Sequence, residues 1–546
     1  MTLTLERRRC SRTNFSNIEI ESRTTGQIIG HSRDISPYGI YVESKKLLQP
    51  GTKILLEFRL PNDVAALKAY CEIKWMRDSH NLEVAEHSGM GIQFKSMYDA
   101  DRRKLENYLV ESSKRIDSDY YTLADFINLP DADILRKTIP FWEFIEDSKI
   151  KGYYTYGKSL LSASQNRVSI FDEITGKEKE IIMMGSSNYL GLQTHPKVLE
   201  AANEAIKKYG TGAVGSPLHT GRYDIHKTLE KKLAQMKGCE DAMIFSSGYA
   251  ANLGCISSLV MKRDLAVIDR LSHASVIDGC AISRGSFRTF RHSDMESLRH
   301  VLENNKQLYD GKLVIVDGVY SSEGDVAPLP DIVDIAREYG ARVMVDDAHA
   351  TGVLGNGGGG TLDHFDMKGK VDIVMGTLSK TLGGVGGFIA SSKEVINYLR
   401  HYARSAFFSA SIPPSIAASV LAAIQIMESE PERRLTLWRN INYMKDNLKA
   451  LGFNISDAQS ALIPIIIGEE LLLRKISKRI YEEGVYLAVF PYPSVPKGQA
   501  RLRLSITGTH TIKDLDETLE ILERVGKEFG VLGLDNYQGS SSAFAA

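Results

Sequence analysis

Over the first hundred residues, apolar and polar positions alternate with period two. Ile18 and Ile20, Ile40 and Val42, the set Ile54, Leu56, Phe58 and Leu60, and the set Cys71, Ile73 and Trp75 each put every second side chain on one face. Half-buried antiparallel strands read this way, and several short ones in series predict a small β-barrel. The charged stretch DADRRKLENYLVESSKR then turns to helical spacing and closes the segment. From about residue 180, apolar runs alternate with helical patterns, which predicts an α/β unit with a mostly parallel sheet. The last hundred residues mix strands (ALIPIIIG, VYLAVF, ARLRLSIT) with the helix TIKDLDETLEILERVGKEF, as a smaller α+β domain does. The boundaries that follow are a barrel over 1–112, a polar linker over 113–135 and a catalytic region over 136–533. Within that region a large domain spans about 180–405 and a small one about 430–533. The low-complexity tail, 534–546, is expected to be disordered.

Composition narrows the class. The chain has 546 residues, 43% apolar and 25% charged, with a formal net charge of −1. That balance supplies no pull toward DNA or RNA. The five cysteines are scattered without CxxC spacing, which argues for a reducing compartment and against structural zinc. The opening MTLTLERRRCSR lacks the apolar core of a signal peptide, and the apolar run from Ile416 to Met427 is short of the roughly 20 residues that span a bilayer. A cytoplasmic location is expected.

The chemistry collects at strand ends. DAMIFSSGYAAN, LAVIDRLSHAS, KLVIVDGVYSSEGD, ARVMVDDAHATG and VDIVMGTLSK each carry polar or ionisable residues just past an apolar strand. In open α/β sheets that edge is where ligands bind. Lys380, at the end of a buried strand, is a candidate nucleophile toward an aldehyde, its amine pKa lowered by desolvation. Asp346 could hold a pyridinium nitrogen protonated, and such a pair is the protein's half of pyridoxal phosphate chemistry. The small residues of SSGYAAN open a helix suited to an anion, and Thr377 could add a hydroxyl. His273 and His349 would cover a ring face and bond a phenolic oxygen. Taken singly, each has a plainer reading: a satisfied loop histidine for His273, a helix cap for Asp346, a turn for Ser247 and Gly248. The match GTGAVG at 210–215 follows a helical stretch, where a dinucleotide fingerprint must follow a strand.

Residues from about 140 to 530 resemble the α-oxoamine synthases: serine palmitoyltransferase, 8-amino-7-oxononanoate synthase, 5-aminolevulinate synthase and 2-amino-3-ketobutyrate ligase. The resemblance rests on SSNYLGL, FSSGYAANLG, LSHASVIDG, DGVYSSEGDVAPL, VDDAHATGVLG, GTLSKTLGG and ARLRLSITGTHT, in the family's order. It implies fold type I, pyridoxal 5'-phosphate, and the joining of an amino acid to an acyl thioester with loss of carbon dioxide and thiol, giving an α-amino ketone. It further implies that Lys380 bonds the cofactor and removes the Cα proton. Asp346 partners the ring nitrogen, His349 the ring hydroxyl, and His273 stacks. Ser247, Gly248, Tyr249 and Thr377 hold phosphate, Ser321 lies near the ring oxygen, and Arg503 with Asn188 receives the substrate carboxylate. A planar guanidinium suits a carboxylate bidentately. The family is homodimeric, and FFSASIPP resembles the segment that reaches the partner's phosphate, with Ser409 as its contact; Ala410 stands where relatives often carry a hydroxyl. The stretch FWEFIEDSKIKGYYTYGKSLL looks more like serine palmitoyltransferase-type and lipid-making members. Contact with a membrane surface stays open.

The front segment resembles PilZ, through RxxxR (Arg8 to Arg12) and DxSxxG (Asp34, Ser36, Gly39). That implies binding of cyclic di-GMP, with arginines on guanine edges and faces. A barrel that only docks is the alternative. The expectation is a serine palmitoyltransferase-like lipid or secondary-metabolite synthase modulated by cyclic di-GMP. Its rivals are a cyclic di-GMP-binding scaffold with an inert core, an 8-amino-7-oxononanoate synthase or 2-amino-3-ketobutyrate ligase, and an aminotransferase.

Overall fold

The period-two segments pair as antiparallel strands. In the computed structural model, which describes residues 13–14, 19–22, 27–36, 38–44, 46–60, 65–77, 88–113, 116–129, 133–172 and 175–532, they are β1 (Thr13–Asn14), β2 (Glu19–Ser22), β3 (Gln27–Ser36), β4 (Gly39–Glu43), β5 (Lys53–Phe58), β6 (Leu67–Arg77) and β7 (Gly89–Met97). Their order is β1-β3-β2-β5-β6-β7-β4, and β3 also bonds β4, so the sheet curls back on itself. Its inner face buries Ile35, Val42, Leu56, Phe58, Cys71, Ile73 and Met90, and helix Asp99–Ser113 adds Leu105. The alternation fails at Trp75. The register of β6 against β7 shifts between Ile73 and Trp75, so an extra residue turns the indole off the inner face. Trp75 is 42% exposed and stacks on Tyr41 at 5.4 Å. Ile18, Arg8 and Arg12 lie outside the described residues, as does the tail from 534.

This unit, together with residues 128–147, is one compact body, and residues 122–127 with 148 onward form a second. The second unit opens with β8 (Ser159–Leu160), β9 (Arg167–Asp172) and β10 (Lys177–Met183). Its main sheet has seven strands: β11 (Asp241–Phe245), β12 (Asp264–Asp269), β13 (Ser286–Phe290), β14 (Gly311–Asp317), β15 (Arg342–Asp346), β16 (Ile373–Thr377) and β17 (Gly387–Ser391). They lie in the order β11-β17-β16-β15-β14-β12-β13, with only β17 antiparallel to its neighbours. Continuous apolar runs such as Val314–Val316 and Val343–Val345 are buried because separate clusters cover both faces of the sheet. Six carboxyl ends therefore share one edge: Phe245, Asp269, Phe290, Asp317, Asp346 and Thr377.

The C-terminal part forms a three-stranded sheet, β18 (Leu462–Gly468), β20 (Ala488–Phe490) and β21 (Ala500–Ser505), in the order β18-β21-β20. A two-residue strand, β19 (Val485–Tyr486), joins β10. The apolar run from Ile416 to Met427 lies in helix Pro414–Ser429, which packs into the core. Among the described residues no helix is long and apolar enough to cross a membrane. Residues 210–215 follow helix Pro196–Tyr209 and start at its C-cap, Gly210, so the dinucleotide pattern has no strand before it.

Candidate active site

Lys380 stands three residues past β16, in the nine-residue connection to β17. That connection folds tightly: the Leu378 amide donates to Gly386 O at 2.9 Å and the Gly383 amide to Lys380 O at 2.9 Å. Gly383 has φ +66°, a backbone conformation that side chains rarely adopt, and a Cβ there would crowd the Gln193 backbone at 3.0 Å. Burial lowers the amine's pKa; Arg503 lowers it further, against Asp346 and Asp317, which raise it. A larger share of free amine is what a nucleophile needs.

Asp346 ends β15 and is 5% exposed. Its Oδ2 accepts from Asn252 Nδ2 at 2.7 Å and its Oδ1 from the Ala348 amide at 3.0 Å. No helix starts after Asp346, so the helix-cap reading does not apply: one oxygen holds the following turn and the other a long-range amide. His273 caps helix Ala274–Ile282, with Nδ1 at 2.7 Å from Ser275 Oγ and accepting the Ser275 amide at 3.2 Å. Its own amide donates to both oxygens of Asp317, at 3.2 and 3.3 Å. Burial lowers the His273 pKa, Asp346 opposes this, and Lys380 adds to it.

His349 Nδ1 lies 2.8 Å from the Tyr189 hydroxyl. Burial pushes the phenol up to about 12, so it is protonated and donates. Burial, with the charges of Lys380 and Arg503, holds His349 well below the ordinary imidazole value. The ring is then neutral, with Nδ1 accepting and the proton on Nε2. Asp317, at the end of β14, is 4% exposed; burial and the neighbouring Asp346 raise its pKa well above the carboxylate range.

Arg503 is on β21 and only 9% exposed. Its Nη1 donates to Ser321 O at 2.8 Å, its guanidinium lies 4.6 Å from the Phe490 ring centre, and its buried Nε has no partner. Asn188 donates to Ser164 O at 3.0 Å, while its Oδ1 is buried without a partner. A buried donor and a buried acceptor left open are costly unless something polar meets them.

Ser247 caps helix Gly248–Leu259, its Oγ accepting the Ala250 amide at 3.0 Å. The first turn of any helix leaves amides without intrahelical partners. A Cβ on Gly248 would come within 3.2 Å of Thr377 Oγ1, so that hydroxyl borders the helix start. Thr377 Oγ1 also donates to Gly386 O at 3.0 Å and pairs with Ser379 Oγ at 2.8 Å. The Tyr249 hydroxyl turns to Asp278, and its ring lies edge-on to His273 with centroids 6.4 Å apart. Ser321 meets Arg503 through its carbonyl. Ser409 is not drawn into this group; its Oγ makes only a 3.5 Å contact to Ala410 O, on a segment next to exposed Phe408.

In the front unit, Ser36 Oγ donates to Gly39 O at 3.2 Å and accepts the Tyr38 amide at 3.3 Å. Asp34 pairs with Tyr41 in the β3–β4 ladder, and a side chain on Gly39 would strike Ile92 O.

Asn252, Tyr189 and Asp317 were missed as site residues. Asp317 ends KLVIVD as Asp346 ends RVMVD, and that parallel was available in the sequence.

Strands that deliver a lysine, carboxylates and imidazoles to one carboxyl edge, with an arginine from a smaller C-terminal sheet, have the architecture of fold type I. Residues 179–522 match the aminotransferase class I and II family and residues 6–111 the PilZ domain. The 4-hydroxy-2,2'-bipyrrole-5-methanol synthase PigH of a Serratia species is 42% identical over 410 residues; the match takes in 75% of this chain but only 63% of PigH. The 8-amino-7-oxononanoate synthase of Thermoanaerobacter pseudethanolicus is 44% identical over 71% of this chain and 97% of its own length. Among solved structures, serine palmitoyltransferase with its PLP internal aldimine superposes with a TM-score of 0.69 at 32% identity, covering 73% of this chain and all of that one. The chain belongs to the aminotransferase class I and II family and, within it, to the α-oxoamine synthases, with a PilZ domain in front.

Proposed function

We propose that the second unit binds pyridoxal 5'-phosphate and condenses an amino acid with an acyl thioester, on coenzyme A or a carrier protein, releasing carbon dioxide and the free thiol. The reading rests on one observation above others: Lys380, with a lowered amine pKa, shares the carboxyl edge of the sheet with half-buried His349, exposed His273 and buried Asp346 and Arg503. When bound, the cofactor supplies an electron sink for a carbanion beside nitrogen. Lys380 Nζ offers the amine for the aldehyde and, once released, takes the Cα proton. Asp346 holds a proton on the ring nitrogen, and His349, with its proton on Nε2, donates to the phenolic oxygen. His273 covers the ring, with Ser321 beside the ring oxygen. The Gly248 and Tyr249 amides, with Ser247 and Thr377, receive the phosphate. Arg503 Nε and its free donors take the substrate carboxylate, with Asn188 beside it. Fixing the carboxylate sets which Cα bond stands perpendicular to the ring, and so which bond breaks.

The product class is a long-chain or secondary-metabolite α-amino ketone, in line with relatives named as serine palmitoyltransferase and PigH. The enzyme works as a cytoplasmic homodimer, in which Ser409 serves the second copy's phosphate, and the domain boundaries follow the sequence reading except that 136–147 group with the front unit. The front unit binds cyclic di-GMP through Arg8, Arg12, Asp34, Ser36 and Gly39, and this modulates turnover by favouring one catalytic arrangement over another.

Borohydride reduction and peptide mapping should label Lys380, and amino acids with acyl thioesters of increasing length should release carbon dioxide and an amino ketone identified by mass. A label elsewhere, or no carbon dioxide with any pair, sinks the enzymatic reading. Rates that stay the same with and without cyclic di-GMP, while binding is measured and is lost in Arg8→Ala and Arg12→Ala, sink the regulatory one.

A further inference from the structure

His292 lies two residues past β13, outside the group described above. Its Nδ1 is 3.1 Å from Asp269 Oδ1, on the fully buried last residue of β12, and its Nε2 is 2.9 Å from Asp325 Oδ2. A ring whose two nitrogens both face carboxylates donates from both, as imidazolium. Burial pulls its pKa down, but the two carboxylates outweigh this and bring it up to about 10. Its face meets buried Tyr320 edge-on, with centroids 4.5 Å apart and planes at 86°.

Asp325 and Tyr320 belong to a closed loop. The Tyr320 amide donates to Asp325 O at 3.1 Å, the Gly324 amide to Tyr320 O at 2.8 Å, and Val319 bridges Val326. The small sheet grips the other side of this loop. Arg503 Nη1 donates to Ser321 O, Arg501 Nη1 to Ser322 O at 3.2 Å, and Arg501 also pairs with Glu323 at 2.5 Å. Ser460 Oγ donates to Gly324 O at 2.8 Å. The loop is thus fastened at one side to the large sheet through His292 and at the other to the strand that carries Arg503.

We propose that His292 is a positioning residue for the substrate carboxylate: by pinning Asp325 and Tyr320 it fixes the Ser321 carbonyl against which Arg503 is aimed. The inference rests on the reading of Arg503 as the carboxylate receiver. A mispointed carbonyl lets the guanidinium swing, and a planar two-point grip is lost with small rotations. The amine end of the substrate, held elsewhere, is unaffected.

The test uses the full-length holoenzyme and pairs of probes that differ only by the carboxylate: L-serine and ethanolamine, L-alanine and ethylamine, glycine and methylamine. Dissociation constants are read from the absorbance of the bound cofactor, and the ratio of amine to amino acid measures the grip on the carboxylate. His292→Gln is expected to lower that ratio about tenfold while the amine constant holds, the size of one strong hydrogen bond. Asp325→Ala, at a partly exposed side chain, cuts the same link while sparing the buried pair of His292 with Asp269, and should do likewise; it carries the test if His292→Gln does not fold. Arg503→Gln should lower the ratio at least as far. If both loop variants keep the wild-type ratio, or weaken amine and amino acid equally, while Arg503→Gln loses it, the positioning role is overturned and the carboxylate reading stands. If Arg503→Gln keeps the ratio, the carboxylate reading fails and takes this inference with it.

Discussion

The two edges of the seven-stranded sheet carry the same kinds of ionisable residue in different states. At the amino edge lies a cleft of about 860 Å³, bordered by Asp264, Lys312, Arg342 and Asp372. Its carboxylates are spoken for: Asp264 accepts the Met261 and Gly311 amides, and Asp372 accepts the Val343 amide and pairs with Arg342 at 2.8 Å. At the carboxyl edge, Lys380, His273 and His349 are pushed toward their neutral forms by burial, and Arg503 and Asn188 keep open polar atoms. Room alone does not make a site. Desolvation and unfinished pairing are what make the carboxyl edge the candidate.

The largest effect expected from breaking this contrast is at Lys380. Lys380→Ala should lower turnover on the order of 10³-fold or more, since both the nucleophile and the base go with it, and should abolish borohydride labelling. Retained labelling would put the reactive amine elsewhere. Arg503→Lys should weaken amino-acid binding about tenfold to a hundredfold by losing the planar grip, with little change in the cofactor's own spectrum. Equal affinity in a spectral titration would remove Arg503 from the substrate.

Acid should weaken the carboxyl edge. The folded chain resists a proton on His349 that the unfolded chain takes up below about pH 6.5. This contribution is intact above that pH and is lost as pH falls, by up to about 1.4 kcal/mol per pH unit for such a group. Urea midpoints at pH 7.5 and 5.5 should therefore separate more in the wild type than in His349→Asn; parallel shifts would contradict a neutral His349. The smallest effect belongs to the amino edge. Arg342 is 77% exposed at its side chain, and Arg342→Gln should change stability by less than about 1 kcal/mol and turnover by less than twofold. A larger loss of turnover would mean the cleft has a part in catalysis.

Strand ends were legible in the sequence because buried parallel strands read as unbroken apolar runs and their first polar residue marks the edge. Lys380, Asp346 and Thr377 could be found that way. Asn252 could not: its partner Asp346 is 94 residues away, and an asparagine on an apolar helix has no local signature of its bond. His292 was hidden for the same reason, since its two carboxylates come from β12 and from the 318–326 loop. Trp75 misled because a bulge changes the face without changing the composition. The front motif is the opposite case, local enough for spelling alone to locate Ser36 and Gly39 in one tight turn.

A methyl group on Gly387 would come within 2.5 Å of Gly248 Cα. The lysine-bearing connection and the start of helix Gly248–Leu259 are therefore one mechanical part, meeting backbone to backbone. An alanine at that seam would shift the turn that carries Lys380 and the helix start together, so the two cannot be tuned apart from this side.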